Sequence, residues 1–210
     1  MNPIQKDLVV LVADKNMEDT ITTLLTERTP SLGIREILFD VFRHPQRDPG
    51  VFHKAEQFLR PFVTQYHRAL VMLDREGSGQ EHLTPEEIRN QIQRRLDQVG
   101  WQGRSAVFVL DPELEIWAFA DSPHVIEVFA NGDSRLFQEV LTSFNKVYPT
   151  GSKPKRPKEV IETLLKRTRT PRSSSLYSQL ARKVGLARCQ DPTFREFKRT
   201  LQLWFPRRAS

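Results

Sequence analysis

Asp74 and Glu76 close the stretch Arg-Ala-Leu-Val-Met-Leu-Asp-Arg-Glu at residues 68–76. Carboxylates two residues apart project to the same side of an extended chain, so the pair can offer oxygen donors to one cation. Oxygen donors of this kind suit magnesium or manganese, which keep several waters and take substrate phosphates through open positions. The plainer reading is a solvated exit from a strand, and an isolated Asp-x-Glu does not separate the two. Other acids also follow apolar runs: Asp14 after Leu8–Ala13, and Asp111, Glu113 and Glu115 at or beyond Ser105–Leu110. Glu18 and Asp19 fall in the first turn of a helix, where the helix dipole favours acids whatever their function. Three groups of carboxylates on one rim repel unless positive charge lies between them. That charge is either a divalent cation or the side chains of Lys15 and Arg75.

The elements that must carry these acids read as an alternation. Leu8–Ala13 and Ala69–Leu73 are unbroken apolar runs, as expected for strands covered on both faces. Ile34–Phe42 and Ser105–Leu110 supply two more strands. Met17–Glu27 has Ile21, Leu24 and Leu25 at helical spacing, and Val51–Tyr66 is helical up to Pro61, with a loop from His44 to Pro49 before it. Thr84-Pro85-Glu86-Glu87 is a capping box with proline at the first helical position, opening a helix lined by Ile88, Ile92, Leu96 and Val99. The order predicts an α/β fold with a mainly parallel four-stranded sheet, helices on both faces and the acids along one edge. Further helices are expected at Pro123–Phe129, Ser134–Val147, Lys158–Lys166, Ser173–Val184 and Thr193–Phe205.

The net charge of +6 over 210 residues hides a division. Residues 1–150 carry 16 Lys and Arg against 22 Asp and Glu, whereas residues 151–210 carry 16 against 4. This predicts an acidic α/β body over 1–148, a linker over 149–157 rich in Pro, Gly, Ser and Lys, and a basic helical region over 158–210. An acidic body with a basic end points to a polyanionic partner, either DNA or RNA. Arg75, Lys153, Lys155, Arg156, Lys158, Arg167 and Arg169 are the expected phosphate contacts. One cysteine, Cys189, excludes an internal disulfide and a multi-cysteine zinc site. With mean hydropathy of -0.51 and no long apolar run, no membrane partner is expected, and the cytoplasm is the expected location.

The ordered acids, together with Glu113-Leu114-Glu115-Ile116-Trp117 after the fourth strand, give the chain a family likeness. It resembles the Toprim fold of topoisomerases, primases and the overcoming-lysogenization-defect nucleases. It is similar in particular to small Toprim-related proteins of bacterial anti-phage defence. The resemblance covers roughly residues 7 to 130. It implies metal-dependent phosphoryl transfer or phosphodiester hydrolysis on nucleic acid, with Mg2+ or Mn2+ held by Asp14, Asp74 and Glu76. Glu18 or Glu113 would serve as base or second-metal ligand, and Arg75 as a phosphate contact. The chain departs from the Toprim pattern at Ala13-Asp14, where the family has glutamate followed by glycine. The second reading is therefore a non-catalytic interaction or sensor subunit of a defence complex, and a third is a nucleic-acid-binding module whose acids only mimic a site.

Overall fold

Leu8 to Val12 are fully buried, which requires protein on both faces of the strand that carries them. The computed structural model describes residues 6–119, 122–147, 153–187 and 189–207. The chain runs β1 (Lys6–Val12), α1 (Lys15–Glu27), α2 (Thr29–Leu32), β2 (Phe39–Arg43), α3 (Arg47–Leu59), β3 (Tyr66–Asp74), α4 (Pro85–Leu96) and β4 (Ser105–Leu110). A 3-10 helix follows at Leu114–Phe119, then α5 (Pro123–Ala130), α6 (Ser134–Val147), α7 (Pro157–Arg167), α8 (Ser175–Lys183) and α9 (Pro192–Trp204). The sheet order is β2-β1-β3-β4 and every pairing is parallel. The register sets Val12 beside Met72 and Asp74 beside Leu110, so the carboxyl ends of the strands share one edge.

Two element starts differ most from the sequence expectation. β2 begins at Phe39 and not at Ile34, because residues 34–38 make other contacts. Gly33, at φ +78°, ends α2; Ile34 then bridges to Pro206 near the C-terminus, and Asp7 takes the Arg35 guanidinium at 2.6 Å and the Leu38 N–H at 2.8 Å. α3 begins at Arg47, inside the expected loop, which brings Asp48 into its first turn. Proline acts as expected on the other side: α3 stops at Leu59, and Arg60–Phe62 continues as a 3-10 turn. The Thr84–Glu87 capping box is formed in both directions.

The C-terminal helices share the sheet's core. Phe194, Phe197 and Leu201 of α9 are buried, and the Phe197 ring meets Phe108 of β4 at 5.7 Å and Trp117 at 5.8 Å. α8 packs on α1, where the Arg28 guanidinium donates to the carbonyls of Ala181 at 2.7 Å and Val184 at 3.0 Å. These bonds satisfy carbonyls that a helix end leaves free. Of the expected linker, residues 149–152 lie outside the described residues; from Pro157 onward the chain is α7. Among the described residues, no helix is long and apolar enough to cross a membrane.

Candidate functional site

Asp74 is the last residue of β3 and is buried. Its backbone N–H donates to the Asp48 carboxylate at 2.8 Å, and its own Oδ1 accepts the Leu114 N–H at 2.8 Å. The 3-10 helix after β4 turns Glu113 and Glu115 into the same region, both of them buried. Glu113 Oε1 accepts the Lys158 backbone N–H at 3.0 Å, at the start of α7, where the helix dipole is positive. Its Oε2 lies 3.7 Å from the Lys158 ammonium. Glu115 accepts the Tyr177 hydroxyl from α8. One carboxylate oxygen from each of Asp74, Glu113 and Glu115 lies within 4.8 Å of the other two, close enough together to hold one metal ion.

The electrostatics of this cluster are those of charge without enough counter-charge. Burial, then the charges of Asp48, Glu115, Asp14 and Glu113, pushes the Asp74 carboxyl well above its ordinary range. Burial and the Glu115 charge push Glu113 up to about 7. Burial likewise carries Asp48 to about 6, and it raises Glu115 against the Tyr177 hydrogen bond. Lys158 shifts upward: burial opposes its charge, but the surrounding Glu115, Glu113, Asp74 and Asp14 outweigh that cost.

The structure brings together only part of the predicted ligand set. Asp74 and Glu113 are in the cluster, and Glu115 and Asp48 join them. Glu76 is exposed, because the chain leaves the strand at Asp74 and strand alternation no longer applies; its N–H bonds the Pro112 carbonyl at 2.9 Å, outside the sheet. Asp14 lies on the rim, where its Oδ1 caps α1 by accepting the Met17 N–H at 2.9 Å. Glu18 is ion-paired to Lys15 at 3.0 Å and Arg43 at 2.7 Å.

Lys15 is thus held by Glu18 and Asp19, and Arg75 is tied to Asp111 at 3.1 Å and to the carbonyls of Glu81 and Leu83. Neither supplies the positive charge within the cluster; Lys158 does. Of the other predicted phosphate contacts, Lys153 pairs with Asp191, Arg156 with Glu159 and Arg167 with Glu139. Lys155 and Arg169 are exposed and make no ion pair among the described residues. Trp117 is core, with its indole N–H on Asp191 at 3.1 Å. Cys189 is buried, which raises its thiol and leaves it protonated.

A cleft of about 670 Å³ opens beside the cluster at the ends of β1 and β2. Asp14 and Lys158 line it together with Lys15, Arg43, Arg47 and Arg172. The arrangement places a carboxylate cluster that could hold a metal ion beside a cleft lined largely by basic side chains.

Asp48 and Tyr177 were not legible as site residues. Asp48 read as one acid in a proline-bounded loop, and Tyr177 as one aromatic on an amphipathic helix; only the fold sets them against Asp74 and Glu115. Comparison with models of protein families, with curated proteins and with solved structures gives no match.

Proposed function

We propose that this chain is a divalent-metal-dependent phosphoesterase acting on nucleic acid, with magnesium or manganese held by Asp74, Glu113 and Glu115. The observation that carries the reading is the charge imbalance at the strand ends. Burial and mutual repulsion raise the proton affinity of Asp48, Asp74, Glu113 and Glu115, and Lys158 is the cation among the described residues that both lines the adjoining cleft and pairs with the cluster. A hard divalent cation fits an all-carboxylate donor set of this size. When bound, such an ion supplies charge neutralisation at a phosphoryl group and activation of water. The chain's own residues would then position the substrate: Arg47 lines the cleft with no ion pair among the described residues and can donate to phosphate, Arg43 and Arg172 line it while tied to Glu18 and Glu162, and Lys158 stands between the cleft and the carboxylates.

A role in anti-phage defence rests on the Toprim resemblance alone. A second reading, a non-catalytic sensor or interaction subunit of the same fold, is favoured by two features. Lys158 already places a positive charge beside Glu113, and Ala13 stands where Toprim enzymes have glutamate.

Manganese and magnesium calorimetry on the wild type and on Asp74→Asn with Glu113→Gln decides between them. Binding that vanishes in the double variant, with divalent-dependent cleavage of single- or double-stranded substrates by the wild type, supports the enzyme. Binding without cleavage supports the sensor reading, and binding that persists in the double variant sinks the assignment of the site.

A further inference from the structure

Many cations of the basic end are used internally. Lys153, Arg156, Arg167, Arg172, Arg182 and Lys183 all pair with carboxylates. α9 is different. Arg195, Lys198 and Arg199 stand at i, i+3 and i+4, on one face of the helix, and none of them meets a carboxylate among the described residues. Glu196, the acid of this helix, is turned the other way and held by Arg89 at 3.0 Å. The opposite face of α9 is fixed in the core through Phe194, Phe197 and Leu201, so the helix cannot rotate to relieve the cations. Like charges at this spacing repel one another modestly, and a face that holds them together without an acid is complementary to an anionic ligand.

The cations line a concavity of about 260 Å³ whose other wall is the segment between α8 and α9, with Gln190 at its edge. Gln202 shares the same lining, and its Nε2 is held by the Leu32 carbonyl at 2.8 Å, which fixes the orientation of the carboxamide. Guanidinium groups recognise phosphate with paired N–H donors, and carboxamides offer the donor and acceptor that base edges use.

We infer that the outer face of α9, through Arg195, Lys198 and Arg199, is a nucleic-acid-binding surface separate from the acid cluster and its cleft. A bilayer is the less favoured partner, because an interfacial helix needs an apolar face free for lipid; here that face is in the core, and Leu203, 72% exposed, is the one large apolar side chain left outside on this helix. The inference deepens the proposed function by naming where the nucleic acid is held. It does not require the carboxylates to be catalytic.

The test is fluorescence anisotropy with a labelled single strand and a labelled duplex, in EDTA so that a failed metal site leaves the measurement intact. The variant is Arg195→Gln, Lys198→Gln, Arg199→Gln, which removes the charges and keeps an unbranched polar side chain of similar helix propensity. Each lost phosphate contact lowers the salt slope by about 0.9 on duplex and about 0.7 on single strands. Losing all three flattens the salt response between 50 and 200 mM by about 40-fold on duplex and about 18-fold on single strands. The wild type should bind, and the variant should show this flattening with a melting temperature no lower than that of the wild type. An unchanged affinity and slope overturns the inference. So does a wild type that binds anionic vesicles or polyglutamate but neither oligonucleotide, or a loss confined to Lys155→Gln with Arg169→Gln.

Discussion

Glu113 offers the sharpest test of the acid cluster, since its protonation and its place among the candidate metal ligands pull stability in opposite directions. Burial and the Glu115 charge move its carboxyl from 4.5 up to about 7. A raised folded-state pKa means that the native chain binds this proton more tightly than the unfolded chain. The associated stability is fully present below about pH 4.5 and is lost as pH rises through about 7. At about 1.4 kcal/mol per pKa unit, ionised Glu113 costs the metal-free fold about 3 kcal/mol at pH 8. Glu113→Gln keeps an oxygen to accept the Lys158 N–H and removes the charge. In EDTA at pH 8 the variant should therefore be more stable than wild type by about 2–3 kcal/mol, with the lower figure allowing for the lost attraction to the Lys158 ammonium. For a chain of this size that is a melting temperature higher by roughly 4–12 °C. At pH 5 the gain should fall below about 1 kcal/mol, because the wild-type group is then protonated in the fold. Manganese should narrow or close this gap, since at 100 times its dissociation constant it stabilises the wild type by about 2.7 kcal/mol and a chain lacking one ligand by less. Thermal unfolding followed by circular dichroism at both pH values, with EDTA or with manganese, reads all four conditions. A gain of equal size at pH 5 and pH 8, or a loss at pH 8 in EDTA, would refute the reasoning.

Two further outcomes follow from the packing and the surface pairs. Phe197→Ala should cost about 3–5 kcal/mol and lower the midpoint of a single denaturant transition, because the ring bridges α9 to Phe108 and Trp117; a separate early transition with the sheet unaffected would show that the C-terminal helices are not part of the same core. Asp7 behaves opposite to Glu113: the Arg35 hydrogen bond holds its carboxyl below the usual range, so its stability is present at neutral pH and lost as pH falls through the folded-state value. Arg35→Ala should flatten the acid limb of the stability curve below about pH 4, and an unchanged limb would remove this pair as a contributor.

Much of the fold is legible because its strands are buried on both faces. Leu8–Ala13 and Ala69–Leu73 admit no polar residue, and a short apolar run of that kind fits a covered parallel strand. β2 is less legible, since Ile34 and Arg35 belong to contacts with Pro206, Phe205 and Asp7 that are made across the whole chain. The site divides along the same line. Asp74 is legible from its position at the end of a buried strand. Glu76 misleads because alternation is a property of extended backbone, and the chain turns directly after Asp74. Glu115 becomes a ligand candidate only through the 3-10 turn after β4, which buries it beside Glu113; the spacing Glu-x-Glu is equally consistent with one acid in and one acid out.

The cations show why composition identified a basic end without identifying which of its charges stand unpaired together. Charge counts cannot distinguish a lysine that offsets buried carboxylates from one that waits for a phosphate, and the two roles require opposite surroundings. Lys158 read as a solvent-facing phosphate contact, yet the helix it begins sets its N–H on Glu113 and its ammonium among Glu115, Glu113, Asp74 and Asp14. Arg156 and Arg167 are held on the surface by Glu159 and Glu139, pairs whose net worth is small but which leave less charge to offer a ligand. Arg195, Lys198 and Arg199 remain uncompensated because α9 must bury Phe194, Phe197 and Leu201, and the helical period then fixes every other side chain's direction. The core thereby selects which cations face solvent together, and the selection depends on the packing of α9 against β4, which no local pattern of charge contains.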